Sequence, residues 1–300
     1  MVRHPAFIFL YLLLLIPAAG FSQTTSLDIE LARRELRNGN HAEALRRFRT
    51  IIEEDAGYIP EAHRHMARIF VDLGDDQQAV RHFGRALNSG PFAIPDDRVR
   101  TYHELARQHL HMDRMFAYEQ TMYALFEYND EFTGSASASR RANIEQVFIR
   151  QSLARALELY RLTPGPFAAA HYEFGMHLLR SGRDDSLQHL LFYLLDTYSL
   201  AIEYYRRIEP RYTFIDLYRF TDDIRQNRQV NEFLDRRNVY WAVAYLGDAM
   251  YFYGGGGGAS TRARELWQFV SRQAVAGDAA EYAARQLAAD RPVNPGPPIR

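Results

Sequence analysis

Hydrophobic residues between positions 26 and 91 follow the three-to-four-residue spacing of amphipathic helices, and the helices come in pairs. In the clearest pair, residues 61–73 and 76–87 are each amphipathic, and a short glycine-containing turn joins them. Pro60 and Pro91 stand at the ends of this pair, where a proline does not continue a helix. Because alternating strand patterns are scarce along the whole chain, the pattern predicts an all-α fold.

Similar residues recur 35 positions apart within this region. The matching residues are Leu31-Ala32 with Met66-Ala67, Gly39-Asn40 with Gly74-Asp75, Ala44-Leu45 with Ala79-Val80, and Phe48 with Phe83. A fixed period of this length is typical of helical repeat proteins, in which stacked units bury a continuous core.

The second unit places small, aromatic and turn-forming residues at regular points. These residues are Ala67, Phe70, Gly74, Ala79, Phe83, Ala86 and Pro91. Ala67 and Ala79 are small where two helices would cross closely, and Phe70 and Phe83 would fill the space beside them. In these features the unit resembles the tetratricopeptide repeat, a helix–turn–helix unit of about 34 residues. The resemblance implies a helix–turn–helix solenoid whose later repeats are degenerate.

The pattern divides the chain into five segments. We predict a signal peptide at 1–22, about three tetratricopeptide-like units at 23–128, a loop at 129–142, a degenerate helical region at 143–290 and a Pro-rich flexible tail at 291–300. Within the degenerate region, we expect one long helix over 143–162, before the helix-stopping segment 164–166.

The N-terminus has the layout of a secretory signal peptide. Arg3 precedes an apolar run at 6–16, and Pro17 and small residues follow it. This run is shorter than the roughly 20 residues that cross a bilayer, which favours cleavage over a retained anchor. No later window is apolar enough to span a bilayer. We therefore expect an exported bacterial protein, periplasmic or envelope-associated, with no integral membrane segment once the leader is removed.

Composition excludes several kinds of chemistry. The chain has no cysteine, and its 36 basic residues are all arginine. Structural disulfides, Cys-ligated zinc, a thiol nucleophile and a Schiff-base lysine are therefore excluded. A net charge of −1 argues against a general nucleic-acid binder. The use of arginine without lysine hints at a GC-rich bacterial genome.

The histidines and acidic pairs do not form a recognisable catalytic or metal-binding motif. Histidines at spacings such as His63/His65 and His103/His109 point to different faces of a helix, so we expect no metal site. Acidic pairs such as Asp75-Asp76 fall at helix starts, where carboxylates cap amide groups and favour the helix dipole. We therefore predict a non-enzymatic protein with no catalytic residues and no cofactor.

A column of basic residues is the main candidate binding site. Arg33, Arg68 and Arg107 occupy the same first-helix position in three successive units, and Arg64 and His103 lie one turn before the last two. The tetratricopeptide resemblance implies that first helices line a peptide-binding groove. Since guanidinium groups suit carboxylates, we expect a protein or peptide partner, acidic in character. The lysine and asparagine of the family's carboxylate clamps are not reproduced at these positions.

The aromatic residues leave a second interpretation open. The chain holds 19 tyrosines, 19 phenylalanines and 2 tryptophans, and helical spacing predicts that most of them lie in the core. Residues 204–219 combine tyrosine with arginine, and such side chains stack on sugars or bind peptides when exposed. The first interpretation is an exported adaptor that mediates protein–protein contacts in the bacterial envelope. The alternative is a glycan- or peptidoglycan-binding helical module.

Overall fold

The computed structural model describes residues 19–54, 57–133, 138–159, 167–255 and 258–294. These residues form fifteen α-helices and one short 3₁₀ helix, Ala274–Ala276, and contain no β-strand. The α-helices are α1 (Ala19–Arg37), α2 (His41–Glu54), α3 (Ile59–Asp72), α4 (Asp76–Asn88), α5 (Pro95–His111), α6 (Met115–Thr133), α7 (Ala138–Arg150), α8 (Leu153–Leu159), α9 (Phe167–Arg180), α10 (Ser186–Ile208), α11 (Leu217–Asp223), α12 (Arg228–Arg236), α13 (Val239–Tyr253), α14 (Ala259–Ser271) and α15 (Asp278–Ala288). The predicted all-α fold class is confirmed.

The predicted signal peptide and the predicted tail fall largely outside the described residues. Residues 1–18 of the leader and 295–300 of the tail are not described. Helix α1 begins at Ala19, so the last four residues of the predicted leader belong to this helix. Within the described part of the chain, no helix has the length and apolar character needed to cross a membrane.

The chain divides into two compact units, and the boundary lies between Thr121 and Met122 inside helix α6. We call the part up to Thr121 unit 1 and the part from Met122 onward unit 2. Unit 1 therefore contains α1 to α5 and the start of α6, and unit 2 contains the remaining helices.

Unit 1 is built from helix pairs of the kind that the repeat predicts. Helices α1 and α2 pack together, α3 and α4 pack together, and α2–α3 and α4–α5 contacts join successive pairs. The predicted small residues Ala67, Ala79 and Ala86 have no exposed surface, and Phe83 is buried beside them. Phe70 packs against two core clusters, one around Phe48 and one around Phe83. Pro91 lies beyond the end of α4 and is exposed.

Each first helix of unit 1 ends in the same left-handed turn. Gly39, Gly74 and Asp113 have φ values of 76°, 74° and 56°. At the second turn, the amide of Gly74 donates to the Val71 carbonyl and that of Asp75 to the Phe70 carbonyl. This pair of hydrogen bonds is the Schellman motif, which satisfies carbonyls at the helix end and favours glycine because it needs a positive φ.

Replacing Asp113 by glycine is expected to stabilise unit 1 by about 0.5–1 kcal/mol, because Asp113 alone of these three turn residues carries a Cβ in the left-handed region. The matched opposite change, Gly74→Asp, is expected to destabilise unit 1 by a similar amount. Urea unfolding monitored by circular dichroism measures both changes. A loss of stability in the Asp113→Gly variant would contradict the turn geometry.

Unit 2 has a larger core and less regular helix pairs. Helix α9 packs against α10, α13 packs against α14, and α10 also contacts α13. Helices α11 and α12 lie between these pairs in the chain, and α15 packs against α14. We call α9, α13 and α15 the first helices of unit 2, because α9 and α13 each open a helix pair and α15 follows the second pair. Contacts of α13 with both α9 and α15 place these three helices side by side.

The pair α13–α14 requires a glycine at its crossing. A Cβ on Gly247 would lie 2.6 Å from Nε1 of Trp267, a side chain with no exposed surface. The indole Nε1 instead donates to the Ala244 carbonyl at 3.1 Å. The missing Cβ therefore allows the largest buried side chain of α14 to lie directly against α13.

Two sequence predictions differ from the structure. The predicted loop at 129–142 is mostly helical: α6 runs to Thr133, directly before Gly134, and α7 begins at Ala138. Residues 134–137 of the predicted loop lie outside the described residues, and the alanines and arginines that follow favour a helix. The predicted long helix over 143–162 is interrupted after Arg150, where the Ser152 hydroxyl accepts the Arg155 amide and caps the start of α8.

Candidate functional site

Two residues of the predicted basic column, Arg33 and Arg64, form hydrogen bonds and ion pairs within unit 1. Arg33 Nε donates to His65 Nε2 at 3.1 Å, and its Nη1 pairs with Glu30 at 2.5 Å. His65 must therefore be neutral, with its proton on Nδ1. Burial, followed by the nearby arginines, lowers the pKa of His65 to about 3. Arg33 of α1 thus holds the imidazole ring of His65 on α3, the next first helix.

Arg64 is the clearest correction to the predicted groove. Its side chain is buried, with a residue exposure of 7%. One amino group pairs with Asp97 at 2.9 Å, and the guanidinium reaches both oxygens of Glu104 at 2.9 and 3.1 Å. Burial alone lowers an arginine pKa, yet these two carboxylates raise the pKa of Arg64 above its usual value. Arg64 therefore joins α3 to α5 and is not available to a ligand.

Two members of the column remain at the surface. Arg68 and Arg107 are exposed, and His103 is half-buried. Arg68 lies one turn after Arg64 and Arg107 three residues after Glu104, so the Arg64–Glu104 contact places Arg68 and Arg107 on neighbouring helices at a similar height. We call these two arginines the basic surface of unit 1.

The first helices of unit 2 carry an aromatic surface that the sequence analysis did not single out. We define it by Tyr172 on α9, Trp241 and Tyr245 on α13, and Tyr282 on α15, which are all half-buried. The Trp241 and Tyr245 rings stack at 5.4 Å with an angle of 24° between their planes. The Tyr282 ring lies 5.5 Å from Trp241 and 5.7 Å from Tyr245.

A buried carboxyl group holds one ring of this surface, that of Tyr282. Asp248 has no exposed surface and accepts hydrogen bonds from the Tyr282 hydroxyl at 2.7 Å and from Gln286 Nε2 at 3.1 Å. Burial raises the pKa of Asp248 to about 7. Gln286 also exchanges two hydrogen bonds with the backbone of Val293, of 2.8 and 2.9 Å. The Tyr282 ring is therefore held in one orientation by a connected network.

A signal for this surface was present in the sequence. Trp241 and Tyr245 are four residues apart, so they share one helix face. The same spacing also describes the buried residues of α13, whose sequence is hydrophobic on nearly all sides. What distinguishes the half-exposed face of α13 from its buried face is the contact with Tyr282, which lies 37 residues after Tyr245 in the chain.

The tyrosine–arginine segment at 204–219 divides between core and surface. Tyr205 and Tyr212 are partly buried and pack against each other and against Phe220 of the unit 2 core. Tyr204 and Arg207 line a cavity between α10 and α12. The alternative binding segment is therefore not one continuous surface.

Each unit also contains a histidine pair between two packed helices. The Nδ1 atoms of His63 and His82 lie 3.1 Å apart in unit 1, and those of His171 and His189 lie 3.0 Å apart in unit 2. Each first histidine stands eleven residues before the glycine of the following turn. Burial lowers the pKa of both His63 and His82, the latter to about 4. Among the described residues, no three His, Asp or Glu side chains come together as metal ligands.

No protein-family model matches this chain, and no curated protein matches it. The function therefore has to follow from the side chains of the surfaces themselves.

The aromatic surface has the chemistry of a binding surface for an extended or ring-shaped ligand. Half-exposed Trp and Tyr side chains supply large contact areas with few rotatable bonds, so ordering them on binding costs little entropy. Arg180 is exposed and lies close enough to Tyr172 and Tyr245 to affect their ionisation. The surface therefore combines aromatic contact area with a nearby positive charge.

Proposed function

We propose that this protein is a non-enzymatic, tetratricopeptide-like scaffold, exported to the bacterial cell envelope, that binds a protein or peptide on its first helices. The observation that carries the proposal is the aromatic surface of unit 2. Its rings are half-buried and come from three different first helices, and one of them, Tyr282, is held in place by Asp248 and Gln286. Export is supported by the leader-like residues 1–22.

The arrangement of the aromatic surface favours protein recognition. Binding energy at protein interfaces concentrates in Trp, Tyr and Arg side chains, and these are the residue types found here. Because Asp248 and its partners hold Tyr282 in place, little ordering is left to be done on binding. The basic surface of unit 1 is a separate candidate contact for acidic residues.

The glycan- or peptidoglycan-binding function remains the second candidate. The observation that favours it is the Trp241–Tyr245 stack, because aromatic rings that stand partly free of the core pack against the apolar faces of sugars. A peptide and a glycan would contact the same rings, so substitutions of these rings would weaken binding of either ligand. The two candidates are therefore distinguished by which ligand the wild-type protein binds.

Selection from a displayed random-peptide library with the purified mature protein tests the proposal. We expect enriched peptides whose affinity falls at least tenfold in the Trp241→Ala variant and in the Tyr245→Ala variant. Phe116→Ala is the matched control, since Phe116 is an exposed aromatic side chain, 78% exposed, in unit 1. Thermal unfolding of each variant verifies that the fold is retained.

The possible outcomes separate the two candidates. Peptides that bind the wild type and the Trp241→Ala variant equally would refute the proposed surface. Retention of the wild type on purified peptidoglycan, together with no peptide enrichment, would favour the glycan-binding candidate instead. If acidic peptides are enriched, the Arg68→Ala/Arg107→Ala double variant should bind them more weakly while its fold stays intact.

A further inference from the structure

A cavity in unit 2 lies between the C-terminal half of α10 and helix α12. Its volume is about 440 Å³, which is within the range of small-molecule sites. Leu200 and Tyr204 of α10 and Phe233 of α12 line it with apolar surface. Tyr204 and Phe233 have ring centres 6.2 Å apart, and the Tyr204 hydroxyl donates to Gln229 Oε1 at 3.0 Å. The apolar part of the cavity is thus formed by residues from both helices.

Positive charges outnumber negative charges among the side chains in and next to this cavity. Two glutamates line it, but each already has an arginine partner outside the lining: Glu203 pairs with Arg206 at 2.7 Å and Glu232 with Arg228 at 2.6 Å. The lining also contains Arg207 and Arg236. Among the described residues, neither of these two guanidinium groups has a carboxylate partner.

The geometry of Arg236 keeps its terminal amino groups available. Its Nε donates to the backbone carbonyl of Glu232 at 3.1 Å, which fixes the side chain along α12. A third arginine, Arg237, lies over the Phe233 ring with 4.0 Å between its guanidinium carbon and the ring centre. This contact limits the movement of Phe233, which lines the cavity.

We propose that the α10–α12 cavity binds a carboxylate attached to an apolar body of about one amino-acid residue. Arg207 and Arg236 would bind the carboxylate, since a guanidinium presents paired donors that match its two oxygens. The apolar body would lie against Leu200, Tyr204 and Phe233. Both the C-terminal residue of a peptide and a free carboxylic acid have this chemistry. The proposal is independent of the aromatic surface, because it involves different helices and a small ligand.

Titration of the mature protein with N-acetyl-L-phenylalanine, followed by calorimetry or NMR, tests the proposal. We expect saturable binding and at least tenfold weaker binding of the neutral N-acetyl-L-phenylalaninamide. The Arg207→Gln and Arg236→Gln variants should each lose about tenfold in affinity for the acid. Arg264→Gln is the matched control, because Arg264 is an exposed arginine on α14, away from the cavity.

The apolar part of the site has its own test. Phe233→Ala should weaken binding of N-acetyl-L-phenylalanine several-fold and leave the much weaker binding of acetate unchanged. Two further ligands distinguish a peptide C-terminus from a free carboxylic acid: a tripeptide that ends in phenylalanine, and 3-phenylpropionate. Tighter binding of the tripeptide would indicate a peptide ligand, and tighter binding of 3-phenylpropionate a free acid. Equal binding of the acid and the amide, equal losses in Arg264→Gln, or no saturation by about 10 mM of any of these acids would overturn the proposal.

Discussion

Replacing Arg64 by alanine is expected to lower the free energy of unfolding of unit 1 by about 3 kcal/mol. The arginine is 7% exposed and is bound by Asp97 and Glu104 of the next first helix. Removing it leaves the buried carboxylate of Asp97 without its closest partner, while Arg100 still contacts it at 3.1 Å. Breaking a buried pair from one side costs more than the pair contributes, because the remaining charge stays desolvated.

Arg68→Ala provides the matched control for this measurement. Arg68 lies one turn further along the same helix and is exposed, so its loss should change stability by no more than about 0.5 kcal/mol. Urea unfolding of the full-length mature chain, with fluorescence and circular dichroism as probes, gives both values. Equal effects of the two substitutions would show that Arg64 is a surface residue, as the groove hypothesis assumed.

Acidification is the second large effect, and the buried histidines His65 and His82 both contribute to it. In the unfolded chain His65 titrates near pH 6.5, whereas in the folded chain burial and the nearby arginines lower its pKa to about 3. Between these values the unfolded state binds a proton that the folded state does not. Stability from His65 is therefore complete above pH 6.5 and is lost as the pH falls towards 3. At about pH 5 the loss from this residue amounts to roughly 2 kcal/mol.

The His65→Gln variant isolates this contribution. Glutamine can accept the hydrogen bond from Arg33 but does not titrate, so the loss of stability of unit 1 between about pH 7.5 and pH 5 should shrink by roughly 2 kcal/mol. His111→Gln is the control, because it makes the same substitution at a histidine whose side chain is 71% exposed. The comparison between variants is needed because burial raises the pKa of Glu61, which acts in the opposite direction. Hydrogen exchange of α3 and α4 amides, corrected for intrinsic rates, measures the change. An unchanged pH dependence in His65→Gln would contradict the burial of His65 as a neutral ring.

The regular part of the fold follows from local sequence patterns. Ala67, Ala79 and Phe83 recur at fixed spacing because small and large residues must alternate where two helices cross, so their burial could be predicted. The turns at Gly39 and Gly74 could also be predicted, since glycine readily adopts the positive φ of this helix end. These patterns act over a few residues and are therefore visible in one sequence.

The candidate sites depend on contacts between distant residues, which a single sequence does not reveal. Arg64 lies one turn before the exposed Arg68 on the same helix, and only its pairing with Asp97 and Glu104, 33 and 40 residues away, shows that it is buried. Trp241 and Tyr245 have the spacing of core residues. Their position at the edge of the core becomes visible only through their contacts with the half-buried Tyr282 of α15. Likewise, Tyr204 became part of a cavity because α12 packs against α10.

The central claim is that the first helices of unit 2 bind the partner, and photo-cross-linking tests it most directly. A peptide selected on the wild type would carry a photoreactive group, and mass spectrometry would locate the cross-linked residues on the mature protein. We expect cross-links on α9, α13 and α15, concentrated near Tyr172, Trp241 and Tyr282. Cross-links concentrated on α10 and α14, the second helices of the same pairs, would contradict the claim.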